Sequence, residues 1–241
     1  MENIKVRVWG DYACFARPEM KVDRVTYDII TPSAAKGILD SIYWKPAMQW
    51  KIRKIHIINP IRYMNIRRNE VNDVMGSKPI NISNSKNRTQ RSAIILRDVH
   101  YVIEAEICLV EEEKGIGDNI NKHRECAIRR LSKGEYFQKP FFGAREYACH
   151  FELLEDGAPI PESHHEWKDK EINLGYILHD QGYYHVRKIP SKKGKNNKDP
   201  NIKDIDYLKN LLKMCYFIDR NTGELIDNSF VKNIYMNKES P

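Results

Sequence analysis

Six apolar residues, Val99, Tyr101, Ile103, Ala105, Ile107 and Leu109, occupy alternate positions without a miss. A period of two is that of a strand with one face against a core, so this stretch predicts a long strand with Glu104 and Glu106 facing outward. Glu111-Glu112-Glu113 and Gly115-Ile116-Gly117 end it. Partner strands are legible nearby. Ile4, Val6 and Val8 alternate with Lys5 and Arg7, which predicts a half-buried strand over 4–9, broken by Gly10-Asp11. Trp50 and Ile52, then Ile55 and Ile57, predict another whose inward phase shifts near Arg53-Lys54, as a bulge would do.

Two helices separate these strands. Thr31 can cap a helix that Pro32 opens, and Ala35, Ile38, Leu39 and Ile42 recur at helical spacing. Pro46 bars continuation, so the helix of residues 32–44 delivers Tyr43, Trp44 and Lys45 to its C-terminal exit. Core packing with a dipole-compensating lysine and a site beside a nucleic acid both fit those three. The first reading is favoured for Trp44, and Tyr43 stays open. The second helix runs from about Lys122 to Lys133, with Asn119 or Asn121 as cap, a stripe of Ala127, Ile128 and Leu131, and Gly134 as terminator. A strand through Phe151 and Leu153 follows.

The order strand, helix, strand, strand, helix, strand is the split βαβ pattern of ferredoxin-like domains, which the RNA-recognition fold shares. The fold class expected is α+β, with that domain over residues 1–155 carrying a basic insertion. Gly157, Pro159 and Pro161 mark a boundary. Residues 156–241 are expected to form a small antiparallel β domain, with pieces at 172–178 and 183–189, a lysine-rich loop to Pro200, an apolar stretch at 205–218 and a hairpin turn at Arg220-Asn221-Thr222-Gly223.

Composition narrows the partners. The formal net charge is +7 over 241 residues, with 41 % hydrophobic residues, which favours a polyanion bound to a chain able to build a core. Five cysteines without a Cys-x-x-Cys pair fit reduced thiols in a cytoplasm. No leader is expected at Met1-Glu2-Asn3, and no apolar run approaches the roughly 20 residues that span a bilayer.

Residues 65–91 lack a sustained period and hold six basic residues (Arg67, Arg68, Lys78, Lys86, Arg88, Arg91) against Glu70 and Asp73. They are expected to be a long loop, read equally as a solvated surface or as a basic flap over a phosphate backbone. Lys122-His123, at a helix start, could hold a phosphate and move a proton, or be two exposed polar residues of a first turn. Arg124, Arg129 and Arg130 make that helix basic. Gly143-Ala144-Arg145 could approach a phosphate, with a bulge or tight turn as the default. His150, His164 and His165 with Cys149 match no zinc spacing, so no metal site is expected.

Val8-Trp9-Gly10-Asp11-Tyr12-Ala13, Arg17-Pro18-Glu19-Met20, Thr31-Pro32-Ser33-Ala34-Ala35, Ile42-Tyr43-Trp44-Lys45-Pro46, Asn65-Ile66-Arg67-Arg68-Asn69-Glu70 and Phe142-Gly143-Ala144-Arg145-Glu146 occur in this order. Together they closely resemble the type I-C CRISPR-associated endoribonucleases, the fifth Cas family of the RAMP superfamily. The resemblance is strong over residues 1–155 and looser in the tail. It implies cleavage of precursor CRISPR RNA at the base of each repeat hairpin. It also implies retention of the 5′ handle, and assembly with the other type I-C Cascade subunits. The family's catalytic tyrosine carries onto Tyr43 and its lysine–histidine pair onto Lys122 and His123. The RNA contacts then expected are Lys45, Arg67, Arg68, Arg88, Arg91, Arg124, Arg129, Arg130 and Arg145.

RNA supplies its own nucleophile, the 2′-OH, so positioning, a proton route and charge neutralisation suffice, without cofactor or metal. Two rival classes remain: a non-catalytic subunit that binds the handle, and a basic nucleic-acid binder with metal-dependent cleavage of DNA.

Overall fold

The computed structural model of the protein describes residues 3–18, 20, 23–72, 76, 79–110, 119–155, 157–164, 173–178, 214–218 and 225–227. The expected acidic and glycine-rich end of the long strand, the piece at 183–189, the lysine-rich loop, residues 205–213 and the turn at 220–223 lie outside them.

The alternating stretch is the spine of the main sheet. It belongs to β5 (Arg88–Leu109), 22 residues long. One edge of β5 pairs antiparallel with β1 (Ile4–Ala13), from Ile4 opposite Ala105 to Ala13 opposite Leu96. The short β2 (Arg24–Val25) continues that edge in parallel. The other edge pairs with β3 (Met48–Ile57) and then, further down, with β4 (Tyr63–Val71). β6 (His150–Leu154) closes the far side of β1. Across the sheet the order is therefore β6-β1-β5-β3, each neighbour antiparallel. The bulge expected in β3 falls between Ile52 and Lys54. β1 runs four residues beyond its expected end at residue 9, through Gly10-Asp11 to Ala13.

Between the strands lie α1 (Pro32–Ile42) and α2 (Ile120–Lys133). Thr31 caps α1, its hydroxyl accepting from the Ala34 N–H at 3.1 Å. Pro32, Ala35, Ile38, Leu39 and Ile42 are buried; each large aliphatic among them contributes about 1.5–3 kcal/mol by leaving water. Asn119 caps α2, and Gly134 ends it at φ 66, the left-handed conformation that a side chain disfavours. Both helices pack on the face that carries Val6, Val8, Ile103 and Ala105. A second, three-stranded antiparallel sheet joins β7 (Asn173–Ile177), β8 (Met214–Ile218) and β9 (Leu225–Asp227). Leu174 and Ile177 of β7 enter the same core as the first sheet. No described helix is long and apolar enough to cross a membrane.

Two expectations are corrected. Residues 65–91 are not one loop: Tyr63–Val71 and Arg88–Leu96 form a two-stranded antiparallel ribbon, from Tyr63 opposite Leu96 to Val71 opposite Arg88. The inner row begins with Met64 and Ile66 but continues with the paired charges of Arg68 and Glu70, and the outer row mixes Tyr63 and Val71 with Asn65, Arg67 and Asn69, so neither face sustains the apolar period that marks a strand. Glu104 does not face solvent. It is 6 % exposed, accepting from Asn3 Nδ2 and lying 2.9 Å from His56 Nε2. Burial alone would raise its carboxyl, but these hydrogen bonds outweigh it and hold the pKa below the ordinary carboxylate value.

Candidate active site

Helix α1 stops one residue before the phenol. Tyr43 takes an extended conformation (φ −148, ψ 120), while its N–H still bonds the Leu39 carbonyl. Trp50 Nε1 donates to the Tyr43 carbonyl at 2.8 Å. Past the helix end Tyr43 turns inward, at 5 % exposure, and Trp44 outward, at 53 %. Trp44 is thus a surface residue, contrary to the core reading. The core indole is Trp50, at 1 %.

Helix α2 supplies the partner. His123, Ala127 and Leu131 recur at i, i+4 and i+8 and are the buried stripe of α2. His123 therefore faces the core, 3 % exposed, although it lies in the first turn. Its Nδ1 is 2.9 Å from the Tyr43 hydroxyl, with the rings tilted at 44°. Either group can donate, according to the imidazole tautomer. Lys122 precedes it on the exposed side of the same turn. About two turns on, Arg130 reaches back to α1. Its Nη1 donates to the Ile42 carbonyl at 3.0 Å, and its guanidinium carbon lies 5.5 Å from the Tyr43 ring centre. A phenol and an imidazole in hydrogen-bond contact can pass a proton between them, and an adjacent ammonium can neutralise a phosphate. Among the described residues no group of three or more His, Cys, Asp or Glu side chains is placed to hold a metal ion.

Apart from Arg130, the expected RNA contacts fall into three sets. Lys45, beside Trp44, and Arg129 and Arg145 are exposed, and Arg124 is half-buried on α2. Arg67 and Arg88 are exposed on the outer face of the ribbon. Arg68 and Arg91 are turned inward. Arg68 grips Glu146 with both guanidinium nitrogens, one of them at 2.9 Å, and Arg91 pairs with Glu70. Arg24 of β2 reaches both carboxylates, Glu70 at 3.4 Å and Glu146 at 3.9 Å. This anchor under the outer half of the ribbon escaped the reading of the sequence; the adjacent Arg67-Arg68, of which a strand turns one to each face, was its signal. Gly143 serves the backbone: at φ 79, a Cβ there would stand 1.9 Å from the Cys14 carbonyl oxygen. The tight-turn reading holds for this glycine.

Fold and site together define an α+β protein whose two helices close a buried tyrosine–histidine pair. The chain belongs to the CRISPR-associated Cas5 family, whose profile, CRISPR-associated protein (Cas_Cas5), matches residues 3–206. It is 43 % identical over 195 residues to the CRISPR pre-crRNA endoribonuclease Cas5d of Mannheimia succiniciproducens, a match covering 76 % of this chain and 86 % of that one. With the CRISPR pre-crRNA endoribonuclease Cas5d of Thermus thermophilus the identity is 42 % over 151 residues, 63 % of this chain and 64 % of that one. Among solved structures, a CRISPR-associated protein superposes with a TM-score of 0.58 at 21 % identity, and the functionally uncharacterized protein SMU1763c from Streptococcus mutans with 0.55 at 20 %. Each superposition covers 92 % of this chain and 90 % of the other. At such identities the likeness bears on the fold alone.

Proposed function

We propose that this chain is an endoribonuclease that cleaves precursor CRISPR RNA at the repeat hairpin and then holds the 5′ handle within the type I-C Cascade complex, in the cytoplasm. The observation that carries the reading is the 2.9 Å contact between the Tyr43 hydroxyl and His123 Nδ1, with Lys122 on the same helix turn. The names of the two relatives point the same way. The strand order β6-β1-β5-β3, with α1 after β1 and α2 after β5, supports a ferredoxin-like split βαβ arrangement for residues 1–155. The separate antiparallel sheet of β7, β8 and β9 supports a small β domain over residues 156–241.

In the proposed reaction the 2′-oxygen attacks the adjacent phosphorus in line as the bond to the 5′-oxygen breaks. The products are a 2′,3′-cyclic phosphate and a 5′-OH. One proton leaves the 2′-OH and one reaches the 5′-oxygen. Lys122 neutralises charge on the phosphorane, and His123 moves a proton in concert with the Tyr43 hydroxyl, which also orients the nucleophile. No metal enters this scheme.

One observation favours a second reading. Tyr43 and His123 are 5 % and 3 % exposed, so a subunit that only binds the handle would need no opening of this pair. Incubating the protein with one repeat RNA, with and without EDTA, separates the readings. Cleavage that persists in EDTA and yields a cyclic phosphate is the expected result. Binding without cleavage supports the second reading, and cleavage restored only by magnesium or manganese overturns the mechanism.

A further inference from the structure

We propose that Arg130 is a positioning residue for Tyr43 and not a contact for RNA; this rests on the catalytic reading of Tyr43 given above. Helix α1 carries no basic side chain in its last turn. Its C-terminal carbonyls hold partial negative charge that a nearby cation would offset. Arg130 supplies that cation from the neighbouring helix, through its 3.0 Å hydrogen bond to the Ile42 carbonyl. The same guanidinium stands 5.5 Å from the centre of the Tyr43 ring, within the range of a cation–π contact.

His123 and Arg130 thus grip one side chain from the same helix. His123 holds the hydroxyl and Arg130 faces the ring, while Trp50 fixes the carbonyl at 2.8 Å. A guanidinium committed to a carbonyl and a ring face is poorly disposed to follow a phosphate. It is well disposed to keep the phenol aimed and to favour negative charge developing on the phenol oxygen. Arg129, one residue earlier and exposed, offers the opposite case.

The test uses the full chain and one repeat RNA under single-turnover, saturating conditions. Arg130→Gln can still donate to the Ile42 carbonyl but lacks the charge, so the fold is expected to survive; Arg130→Lys keeps the charge and serves as the second variant. Arg130→Gln should slow cleavage by roughly tenfold or more, the scale of a misplaced catalytic group. RNA affinity and its salt dependence should stay as in the wild type, and Arg130→Lys should recover part of the rate. In a Tyr43→Phe background, Arg130→Gln should bring no further loss, because its effect passes through the hydroxyl. Arg129→Gln should instead weaken binding and lower the log–log salt slope by about 0.7, the signature of one single-strand phosphate contact. If Arg130→Gln shows that salt signature, or slows Tyr43→Phe as much as it slows the wild type, the proposal is overturned. A wild type that does not cleave overturns the functional reading instead. Titration of ¹³C-labelled tyrosine by NMR then decides the Arg130 question alone: an unchanged Tyr43 curve in Arg130→Gln refutes it, and a displaced one upholds it.

Discussion

The Tyr43 hydroxyl meets His123 Nδ1 at 2.9 Å, although 80 residues separate them in sequence. Tyr43→Phe deletes one oxygen and keeps the ring under Arg130. Cleavage of repeat RNA should fall by roughly 10²-fold or more. Stability should fall by about 1 kcal/mol, the usual net worth of one hydrogen bond, read from the urea midpoint. Loss of rate with unaltered RNA affinity places the hydroxyl in chemistry; equal loss of both places it in binding.

Lys122 shares the first turn of α2 with His123 but is exposed. Lys122→Ala should therefore slow cleavage by roughly 10²-fold while stability stays within about 0.5 kcal/mol, as for most surface changes. Parallel kinetic and thermal measurements check the split. A large stability loss would mean that the ammonium has a structural partner.

Neighbours on the ribbon should behave differently. Arg67 is exposed, so Arg67→Ala should weaken RNA binding and reduce its salt slope by about 0.7. Arg68 grips Glu146, and Arg68→Ala should in addition cost roughly 0.5–1 kcal/mol of stability, since the pair is half-exposed and screened. Adding Glu146→Ala should return part of that loss. A denaturation series on the four proteins measures it.

His100 gives stability a pH dependence. Burial, then the charge of Arg7 that donates to its Nε2 at 2.8 Å, push its pKa from 6.5 down to about 4; Asp98 works against them and His164 with them. Between those two values the unfolded chain binds a proton that the folded chain refuses. The contribution is full above about pH 6.5 and is lost as the pH falls toward 4. His100→Gln, which can still accept from Arg7, should flatten the change in urea midpoint between pH 7 and pH 5. An unchanged slope in the variant would assign that dependence to other groups.

Gly143→Ala should destabilise the fold by about 2 kcal/mol or more. The added Cβ meets the Cys14 carbonyl oxygen in a left-handed conformation that alanine disfavours. A thermal midpoint within a degree of the wild type would show that the turn can relax.

Where local chemistry decides, the sequence was a sufficient guide. Thr31, Asn119 and Gly134 bound the helices as caps, the shift at Arg53 is a bulge, and the alternation of β5 is a strand. It misled where a partner from far along the chain decides. The ribbon strand Tyr63–Val71 sustains no apolar period because its inner face passes from Met64 and Ile66 to Arg68 and Glu70, which are held by charges from β2 and from the segment before β6. Glu104 lies inward because His56 waits for it on β3. Tyr43 stayed open because the helix ends at Ile42, two residues before the expected end, and because its partner His123 lies 80 residues away. Nothing local in the chain links Tyr43 to His123; family resemblance supplied both, and their pairing appears only in the fold.

β5 serves the core and the ribbon as one unbroken strand of 22 residues, a span of about 70 Å at the usual rise. Its one left-handed residue among those described, Asp98 at φ 55, sits where β3 hands over to β4 and is tied there by Asn59 and Arg62. The ribbon is therefore the ladder of the core sheet carried outward, braced along its inner face by Arg24 and Glu146. Whatever its outer face grips is held in register with the strands of the core.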